Sequence, residues 1–450
     1  MIGVFAHMSG LAAMLAFVAA TAAAGAPEPA PDEPRVGLVL AGGGAAGVAH
    51  VGVIRALEAR GLRPDIVVGA SMGAIVGGLY AAGYGPDDLE AVVEDVDWPS
   101  ILNDLTDRSF VHPMRRDSRI DLQGVQTDLP LGVGAGGLAV AAGLVDGVRL
   151  SLILRQLAAP ALGIEDFDDL PIPFRAVATD LATGRPVALE GGDLALALRA
   201  SMSIPALFPP VRVQDRFLVD GGVSNNLPID VARALGADRI IAVFIPPADV
   251  DPDSLGALSS SLSQTMSIFI HARSRELIET LGPDDILIVP DVGEVGMLDF
   301  ALAPQTVAEG VRAVEAEAEA IDRLMRGRTP AAPREALADR ADRPIEYDGL
   351  VVEYDGALAP EVIRRRLGLP DAGSATPQQI QDAVQRVQGL GLFQNVTYRL
   401  ADGENGRDLV FRAERRQLGF AQLRFGLGLS TEFGDGGAYT IALGAAFTEL

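Results

Sequence analysis

The sequence predicts an α/β fold built on a mainly parallel β-sheet that helices cover. Residues 36–40 and 66–68 form short apolar runs bounded by Gly and Pro, which is typical of buried strands. Between these runs, Val51, Ile54 and Leu57 recur at helical spacing, and a second helical pattern follows residue 73. Strands that alternate with helices indicate parallel pairing, because a parallel connection needs a crossover segment.

A serine turn follows the second predicted strand. Residues 69–73 read Gly-Ala-Ser-Met-Gly, which fits G-x-S-x-G, a sharp strand-to-helix turn that projects a serine hydroxyl above the sheet edge. Side chains in place of Gly69 and Gly73 would collide with the neighbouring strand and helix. Ser71 at a helix N-terminus would also favour a developing oxyanion. A serine that only caps the helix is the alternative.

The glycine-rich residues 42–47, Gly-Gly-Gly-Ala-Ala-Gly, fit two patterns, a dinucleotide-binding turn and an oxyanion loop. A dinucleotide site needs an acidic residue about 20 positions on, after the second strand. The nearest acid, Asp65, precedes that strand, and the serine turn occupies its far end. We therefore favour an oxyanion loop whose free N–H groups face a tetrahedral intermediate.

A nucleophilic serine needs a base. The four histidines of the chain are His7, His50, His112 and His271. His7 lies in a predicted leader, and His50 lies inside a helix, where a packed or surface role explains it better than catalysis. Asp220 ends a strand before two glycines and could accept the Ser71 proton directly. A Ser71–Asp220–His271 triad is the alternative, because its chain order is that of an α/β-hydrolase.

These three motifs, in this order, resemble the signatures of the patatin-like phospholipase family. Residues 178–184 and 200–211 are also similar to family segments, so the resemblance covers about residues 35–326. It implies a three-layer α/β fold, a serine nucleophile, an aspartate general base, a backbone oxyanion hole and no cofactor or metal. The site residues that it implies are Ser71, Asp220, Gly42, Gly43, Gly44, Gly47, Gly69, Gly73, Gly221 and Gly222. The family often carries Arg or Lys where this chain has Ala46.

Residues 1–24 are predicted to be a signal peptide. The run from residue 11 to 24 is apolar and alanine-rich, and it is too short for a comfortable membrane span. Small residues favour cleavage after Ala24, and a Pro-rich tether follows at residues 27–34.

Composition restricts the function classes. The formal charge of −24 argues against nucleic acid as a partner and against polybasic attachment to anionic lipid. The absence of cysteine excludes disulfides, thiolate metal sites and cysteine nucleophiles. Arg115, Arg116 and Arg119 could meet lipid phosphates, although a solvated loop explains them better. Residues 200–211 could form part of an acyl-chain wall, although core packing explains them equally well.

A second unit is predicted beyond the hydrolase domain. We expect that domain to close with a helix around residues 305–325, followed by a linker at 327–344 that is rich in Pro, Ala and charge. Residues 345–416 suggest a strand, two helices and two strands. The segment 387–398 resembles the polypeptide-transport-associated (POTRA) module, which implies a small α+β domain.

Residues 420–450 alternate between apolar and small or polar residues over 423–429 and 439–447. This pattern is typical of the first hairpin of an outer-membrane β-barrel. Because a bilayer tolerates no open sheet edge and bacterial barrels need about eight strands, either the chain is truncated or the strands belong to a soluble sheet.

The order of leader, hydrolase domain, POTRA-like domain and barrel start resembles the patatin-type autotransporters of Gram-negative bacteria, the d subclass of type V secretion. This resemblance implies a phospholipase A that acts on phospholipid or another lipid ester and is exported to the outer membrane or cell surface. Release of the catalytic domain and homo-oligomerisation are left open. The alternatives are a triad esterase of the α/β-hydrolase type and a surface-binding or translocation module without catalysis.

Overall fold

The computed structural model describes residues 33–98, 131–134, 137–140, 145, 147–247, 258–331, 344–354, 356, 359–390, 392–404, 406–415, 421–431 and 437–447. The strands are β1 Val36–Leu40, β2 Ile66–Ala70, β3 Leu131–Gly134, β4 Gly137–Val140, β5 Phe174–Asp180, β6 Pro186–Leu189, β7 Val211–Val213, β8 Arg216–Asp220, β9 Arg239–Val243, β10 Ile286–Ile288, β11 Ile345–Tyr347, β12 Gly349–Glu353, β13 Gly373–Ala375, β14 Phe393–Gly403, β15 Gly406–Arg415, β16 Ala421–Thr431 and β17 Gly437–Phe447. The helices are α1 Ala49–Ala59, α2 Met72–Ala81, α3 Pro86–Asp95, α4 Val148–Leu157, α5 Leu194–Ser201, α6 Gly222–Asn225, α7 Ile229–Ala234, α8 Leu258–Ile278, α9 Thr306–Ala316, α10 Ala318–Leu324, α11 Pro360–Leu367 and α12 Pro377–Gln388.

The largest sheet has eight strands in the order β10-β9-β1-β2-β5-β8-β7, with β6 also paired to β5. Strands β10, β9, β1, β2 and β5 are parallel. Strands β6, β7 and β8 pair in antiparallel fashion. The predicted α/β class is confirmed, but the sheet is mixed, and the strand that carries Asp220 is one of the antiparallel strands.

Helices cover both faces of this sheet. Leu38 and Leu40 of β1 belong to a large apolar cluster with α1, α2 and α5. Val39 points to the opposite face, where it joins Ile229 of α7 and Leu277 of α8. Because successive residues of a strand face opposite sides, one continuous apolar strand serves both layers. The arrangement therefore has three layers, helices on sheet on helices.

One close helix contact fixes the segment behind the glycine loop. A Cβ on Gly52 of α1 would lie 1.8 Å from the Val307 carbonyl oxygen, and one on Gly310 of α9 would lie 2.0 Å from that of Ala49. The two helices therefore cross backbone to backbone, which only glycine permits. The predicted helix at 305–325 consists of α9 and α10, which are separated at Glu317.

Residues 345–415 form a smaller α+β unit, as the pattern indicates. Strand β12 pairs in parallel with β15, which pairs in antiparallel fashion with β14, and β11 pairs with β13. Helices α11 and α12 contribute Ile363, Leu367 and Ile380 to its core. The short strands β11 and β13 were not predicted. Whether this unit is a POTRA module stays a prediction.

A buried arginine joins this unit to the larger α/β unit. The Arg155 guanidinium of α4 donates to the Asp193 carboxylate at 2.8 Å and to the Tyr398 carbonyl oxygen at 3.1 Å. It also lies 5.3 Å from the centre of the Tyr398 ring. Leu152, one turn earlier on α4, belongs to the apolar core of the smaller unit. A cavity of about 310 Å³ lies at this junction, lined by residues of both units.

The last two strands, β16 and β17, form an antiparallel pair that two earlier strands extend. Strands β16 and β17 pair along eleven residues each, and β16 also pairs with β3, which pairs with β4. The result is a four-stranded antiparallel sheet in the order β17-β16-β3-β4. The barrel assignment stays a prediction.

No helix in the described ranges combines the length and the apolar content that crossing a bilayer requires.

The predicted linker is partly attached to the larger α/β unit. Arg328 bonds to the Asp65 carboxylate at 2.7 Å and to the Pro34 carbonyl oxygen at 2.9 Å. The Ala331 N–H donates to the Gly61 carbonyl oxygen. The first residues after α10 therefore fasten the end of the unit to its first strand.

Candidate active site

Ser71 lies at the turn between β2 and α2 with a positive φ of 52°. A non-glycine residue in this region is strained by about 1–3 kcal/mol, and such strain is concentrated at functional sites. A Cβ on Gly69 would lie 2.3 Å from the Gly73 carbonyl oxygen, and one on Gly73 would lie 2.3 Å from the Leu40 carbonyl oxygen. The two flanking glycines therefore allow the turn to be this tight, as the motif predicts.

Strand β5 brings Asp220 to this turn. Val177 pairs with Ala70 of β2 on one edge and with Ala188 of β6 on the other. The next residue, Ala178, pairs with Asp220 of β8, while its other edge is again taken by β6. Strands β2 and β8 therefore share one edge of β5 and approach from opposite directions, so that their carboxyl ends meet. Ser71 is the residue directly after the end of β2, and Asp220 is the last residue of β8.

The two side chains form a buried hydrogen-bonded pair. The Ser71 Oγ donates to the Asp220 Oδ2 at 2.7 Å, and the Asp220 Oδ1 accepts from the Gly222 N–H at 2.8 Å. Ser71 and Asp220 are only 4% and 3% exposed. Burial raises the pKa of Asp220 from 3.8 to about 6, although the bonds from Ser71 and Gly222 oppose that rise. The carboxylate is thus a stronger base than an exposed aspartate and lies next to a hydroxyl.

The Asp-Gly-Gly turn packs too closely for other residues. A Cβ on Gly221 would lie 2.1 Å from the Val177 carbonyl oxygen, and one on Gly222 would lie 3.0 Å from the Asp220 Oδ1. The Asp220 carbonyl oxygen accepts from the Thr179 hydroxyl at 2.8 Å. These contacts hold the carboxylate in place relative to β5.

Two serines that the sequence analysis did not single out support the pair. The Ser71 N–H donates to the Ser201 Oγ at 2.9 Å, and the Ser201 Oγ donates to the Val177 carbonyl oxygen at 2.5 Å. The Asp220 N–H donates to the Ser203 carbonyl oxygen at 2.9 Å. Both serines lie in the segment 200–211. The similarity of this segment to the family is the sequence signal that could have identified them.

The glycine loop lies beside Ser71. The Gly42 N–H donates to the Asn226 Oδ1 at 3.1 Å and to the Asn226 carbonyl oxygen at 3.2 Å. The N–H groups of Gly43 and Gly44 donate to no other residue that the structure describes. Gly42 is thus engaged by the protein, whereas the N–H groups of Gly43 and Gly44 have no acceptor among the residues that the structure describes.

Close contacts explain the other glycines of the loop. Gly44 has a φ of 54°, and a Cβ there would lie 2.2 Å from the Met297 carbonyl oxygen. That same oxygen accepts from the Ala45 N–H at 2.9 Å. A Cβ on Gly47 would lie 2.8 Å from the Met72 Cβ, directly after the nucleophile. The loop is therefore held between residues near 297 and the start of α2.

Neither histidine that the structure describes bonds to Ser71 or Asp220. His271 directs its Nδ1 to the Ser267 carbonyl oxygen at 2.7 Å and its Nε2 to that of Ile245 at 3.3 Å. The fully buried His50 has its Nε2 2.7 Å from the Ala41 carbonyl oxygen, and burial lowers its pKa to about 4. The geometry thus does not assemble the Ser71–Asp220–His271 triad. His7 and His112 lie outside the described residues.

Three apolar side chains of residues 200–211 are part of the core. Met202, Ile204 and Phe208 are buried in the main apolar cluster, and Phe208 stacks under the Arg199 guanidinium at 4.7 Å. Packing therefore accounts for these side chains. The three arginines at positions 115, 116 and 119 lie outside the described residues.

Comparison with known proteins places the fold and this site in context. Residues 38–233 match the family model of patatin-like phospholipases. An uncharacterized NTE family protein of Mycobacterium tuberculosis is 33% identical over 255 residues, which is 55% of this chain and 61% of the relative. A patatin-like phospholipase domain-containing protein of Caenorhabditis elegans is 34% identical over 234 residues, or 51% of this chain and 15% of the relative.

Among solved structures, VipD from Legionella pneumophila aligns over 66% of this chain and 68% of its own, with a TM-score of 0.36 and 17% identity. The residues that match the patatin-like phospholipase model, 38–233, lie within the α/β unit and include both Ser71 and Asp220. The chain spans about three fifths of the mycobacterial relative's length.

Proposed function

We propose that this protein is a serine lipid acyl hydrolase of the phospholipase A class that works through a Ser71–Asp220 dyad. The observation that carries the proposal is the 2.7 Å bond between the Ser71 Oγ and the Asp220 Oδ2 at a strained, buried turn. The match of residues 38–233 to patatin-like phospholipases supports the substrate class.

In the proposed reaction, Asp220 takes the hydroxyl proton as the Ser71 Oγ attacks the ester carbonyl carbon. The carbonyl oxygen becomes an oxyanion, to which the Gly43 and Gly44 N–H groups donate. The tetrahedral intermediate collapses to an acyl-serine, and the departing lysophospholipid oxygen takes the proton from Asp220. Water then attacks the acyl-serine, Asp220 accepts a water proton and returns it to the Ser71 Oγ, and a fatty acid leaves.

This proposal is tested by incubating the full chain with phosphatidylcholine–phosphatidylglycerol vesicles and with a fluorophosphonate probe. We expect release of fatty acid and labelling at Ser71, both absent from a Ser71→Ala variant. Probe labelling without fatty acid release would indicate an esterase with another substrate. The absence of both would favour the non-catalytic surface-binding module.

A lipid hydrolase should also prefer long acyl chains. Each buried methylene contributes about 0.8 kcal/mol, so an acyl groove that binds several of them favours long esters strongly. We expect kcat/KM for p-nitrophenyl esters to rise by at least tenfold from four to twelve carbons. Measurements below the critical micelle concentration separate chain recognition from aggregation of the substrate. A flat or falling series would contradict the lipid assignment and leave a small-ester esterase.

Export on its own barrel is a further proposal, and it rests mainly on the sequence resemblance. The predicted leader at residues 1–24, the POTRA-like unit and the alternating strands β16 and β17 support it. Protease treatment of intact Gram-negative cells that express the gene should digest the hydrolase domain if it is surface-exposed. Full protection in intact cells, with digestion only after lysis, would remove this part of the proposal.

A further inference from the structure

Asn226 has an unused hydrogen-bond donor, the Nδ2 of a carboxamide whose oxygen contacts the glycine loop. Its side chain is 1% exposed, and the Nδ2 has no hydrogen-bond partner among the residues that the structure describes. The Gly42 N–H can only donate, so the Asn226 atom that faces it is the oxygen, and the amide nitrogen is the other atom. A buried amide with two unsatisfied N–H groups is costly, and each such group in a native structure needs an explanation.

The carboxamide oxygen of Asn226 is close to two of the glycine motifs. The position that a Cβ on Gly42 would occupy is 2.5 Å from the Asn226 Oδ1 and 2.9 Å from the Ser71 Cβ. The corresponding position on Gly222 is 2.9 Å from the same Oδ1 and 3.0 Å from the Asp220 Oδ1. The Asn226 Oδ1 is therefore close to both Gly42 of the glycine loop and Gly222 of the Asp-Gly-Gly turn.

The local chain explains why this position is held. Asn226 directly follows the short helix α6, which begins at the Asp-Gly-Gly turn, and Pro228 comes two residues later. Its backbone carbonyl and its side chain both accept from the Gly42 N–H. This double contact withdraws Gly42 from the backbone donors of the loop, while the same residue brings an amide donor of its own.

We propose that the Asn226 Nδ2 is a side-chain donor of the oxyanion hole and acts together with the Gly43 and Gly44 N–H groups. The inference rests on the proposed hydrolase function. A neutral donor suits this position because the loop carries Ala46 and no side-chain cation. The amide would stabilise the negative charge that develops on the acyl oxygen, without neutralising the Asp220 carboxylate that must accept the proton.

The test compares the full-length protein with Asn226→Ala, Asn226→Asp and a control, Asn225→Ala. Asn225 is the adjacent buried asparagine, and its Nδ2 donates to the Asp230 Oδ1 at 2.8 Å instead of remaining unpaired. Asn226→Asp is nearly isosteric and keeps an oxygen for the Gly42 N–H, but it removes the donor. The readouts are kcat and KM on a soluble ester, thermal stability, and affinity for an alkyl trifluoromethyl ketone, which adds to Ser71 as an oxyanion-bearing hemiketal.

For Asn226→Ala we expect kcat to fall by about 10²- to 10³-fold, as for loss of one oxyanion donor, with KM changed less than threefold. Ketone affinity should fall in parallel with kcat/KM, whereas Asn225→Ala should keep both near the wild-type values. Asn226→Asp should be no more active than Asn226→Ala. A merely structural role would lower thermal stability without this parallel between ketone affinity and kcat/KM.

Three results would overturn the assignment. They are an Asn226→Ala protein with kcat within threefold of wild type, an Asn226→Asp protein as active as wild type, and a loss of kcat with ketone affinity unchanged. Failure of the proposed function is seen separately, in the wild type. A wild-type protein that releases no fatty acid but forms the Ser71 ketone adduct would end the phospholipase proposal, and the adduct affinity would still decide the role of Asn226.

Discussion

Ser71→Ala and Asp220→Asn should each lower kcat/KM on a soluble ester by about three orders of magnitude or more. The two side chains share one proton-transfer step across a 2.7 Å bond, so that removal of either member disables both. The double variant should therefore be little worse than either single one. Initial rates on a chromogenic ester, with active sites counted by fluorophosphonate labelling of the wild type, measure all three losses.

The control for this experiment is His271→Gln, since both ring nitrogens of His271 face backbone carbonyl oxygens and not the dyad. We expect this variant to keep kcat/KM within a few-fold of wild type. A loss as large as that of Ser71→Ala, in a protein of unchanged thermal stability, would reject the dyad and restore the triad. Multiplicative losses in the Ser71→Ala, Asp220→Asn double variant would show that the two residues act independently.

The pH dependence of both activity and stability should follow Asp220. Burial raises its pKa to about 6, and only the ionised carboxylate accepts the Ser71 proton. We expect kcat/KM to fall about tenfold per pH unit below pH 6 and to level off above it. A histidine base, with an ordinary pKa of about 6.5, would give a similar fall in kcat/KM at acidic pH. If Asp220 is the base, the His271→Gln variant must therefore keep the same pH profile. A limb near pH 4 would show that the carboxylate is not desolvated.

Ionisation of Asp220 should raise the activity but lower the stability of the fold. Because the folded-state pKa lies above the ordinary value of 3.8, the folded state binds the Asp220 proton more tightly than the unfolded chain. This contribution to stability is complete below about pH 3.8 and is lost as the pH rises through 6. The loss corresponds to about 3 kcal/mol in the free energy of unfolding at pH 7.

Asp220→Asn cannot ionise and should escape this loss. Its midpoint of thermal unfolding, relative to wild type, should therefore be clearly higher at pH 8 than at pH 4.5. Scanning calorimetry at the two values measures the difference, with Asp215→Asn as a control on a fully exposed aspartate of the same hairpin. A pH-independent difference would mean that the native carboxylate has an ordinary pKa.

Much of the site was predictable because its requirements are local. The turn at Ser71 needs glycine at position 69, where a Cβ would meet the Gly73 carbonyl oxygen four residues on, whereas Gly73 is required by the close approach of β1 at Leu40. The periodicity of residues 36–83 likewise determined the strand and helix order, since a strand buried on both faces must be apolar throughout. The three glycine motifs and the α/β class follow from such rules.

The tertiary structure alone decided how these parts meet. Ser71 and Asp220 are 149 residues apart, and their contact depends on β2 and β8 sharing one edge of β5, a register that no local pattern encodes. It also decided that Asn226 takes up the Gly42 N–H and that His271 faces carbonyl oxygens instead of the dyad. A glycine motif can be recognised from a few consecutive residues, whereas the partners of Ser71 and Gly42 depend on how segments far apart in the sequence pack together.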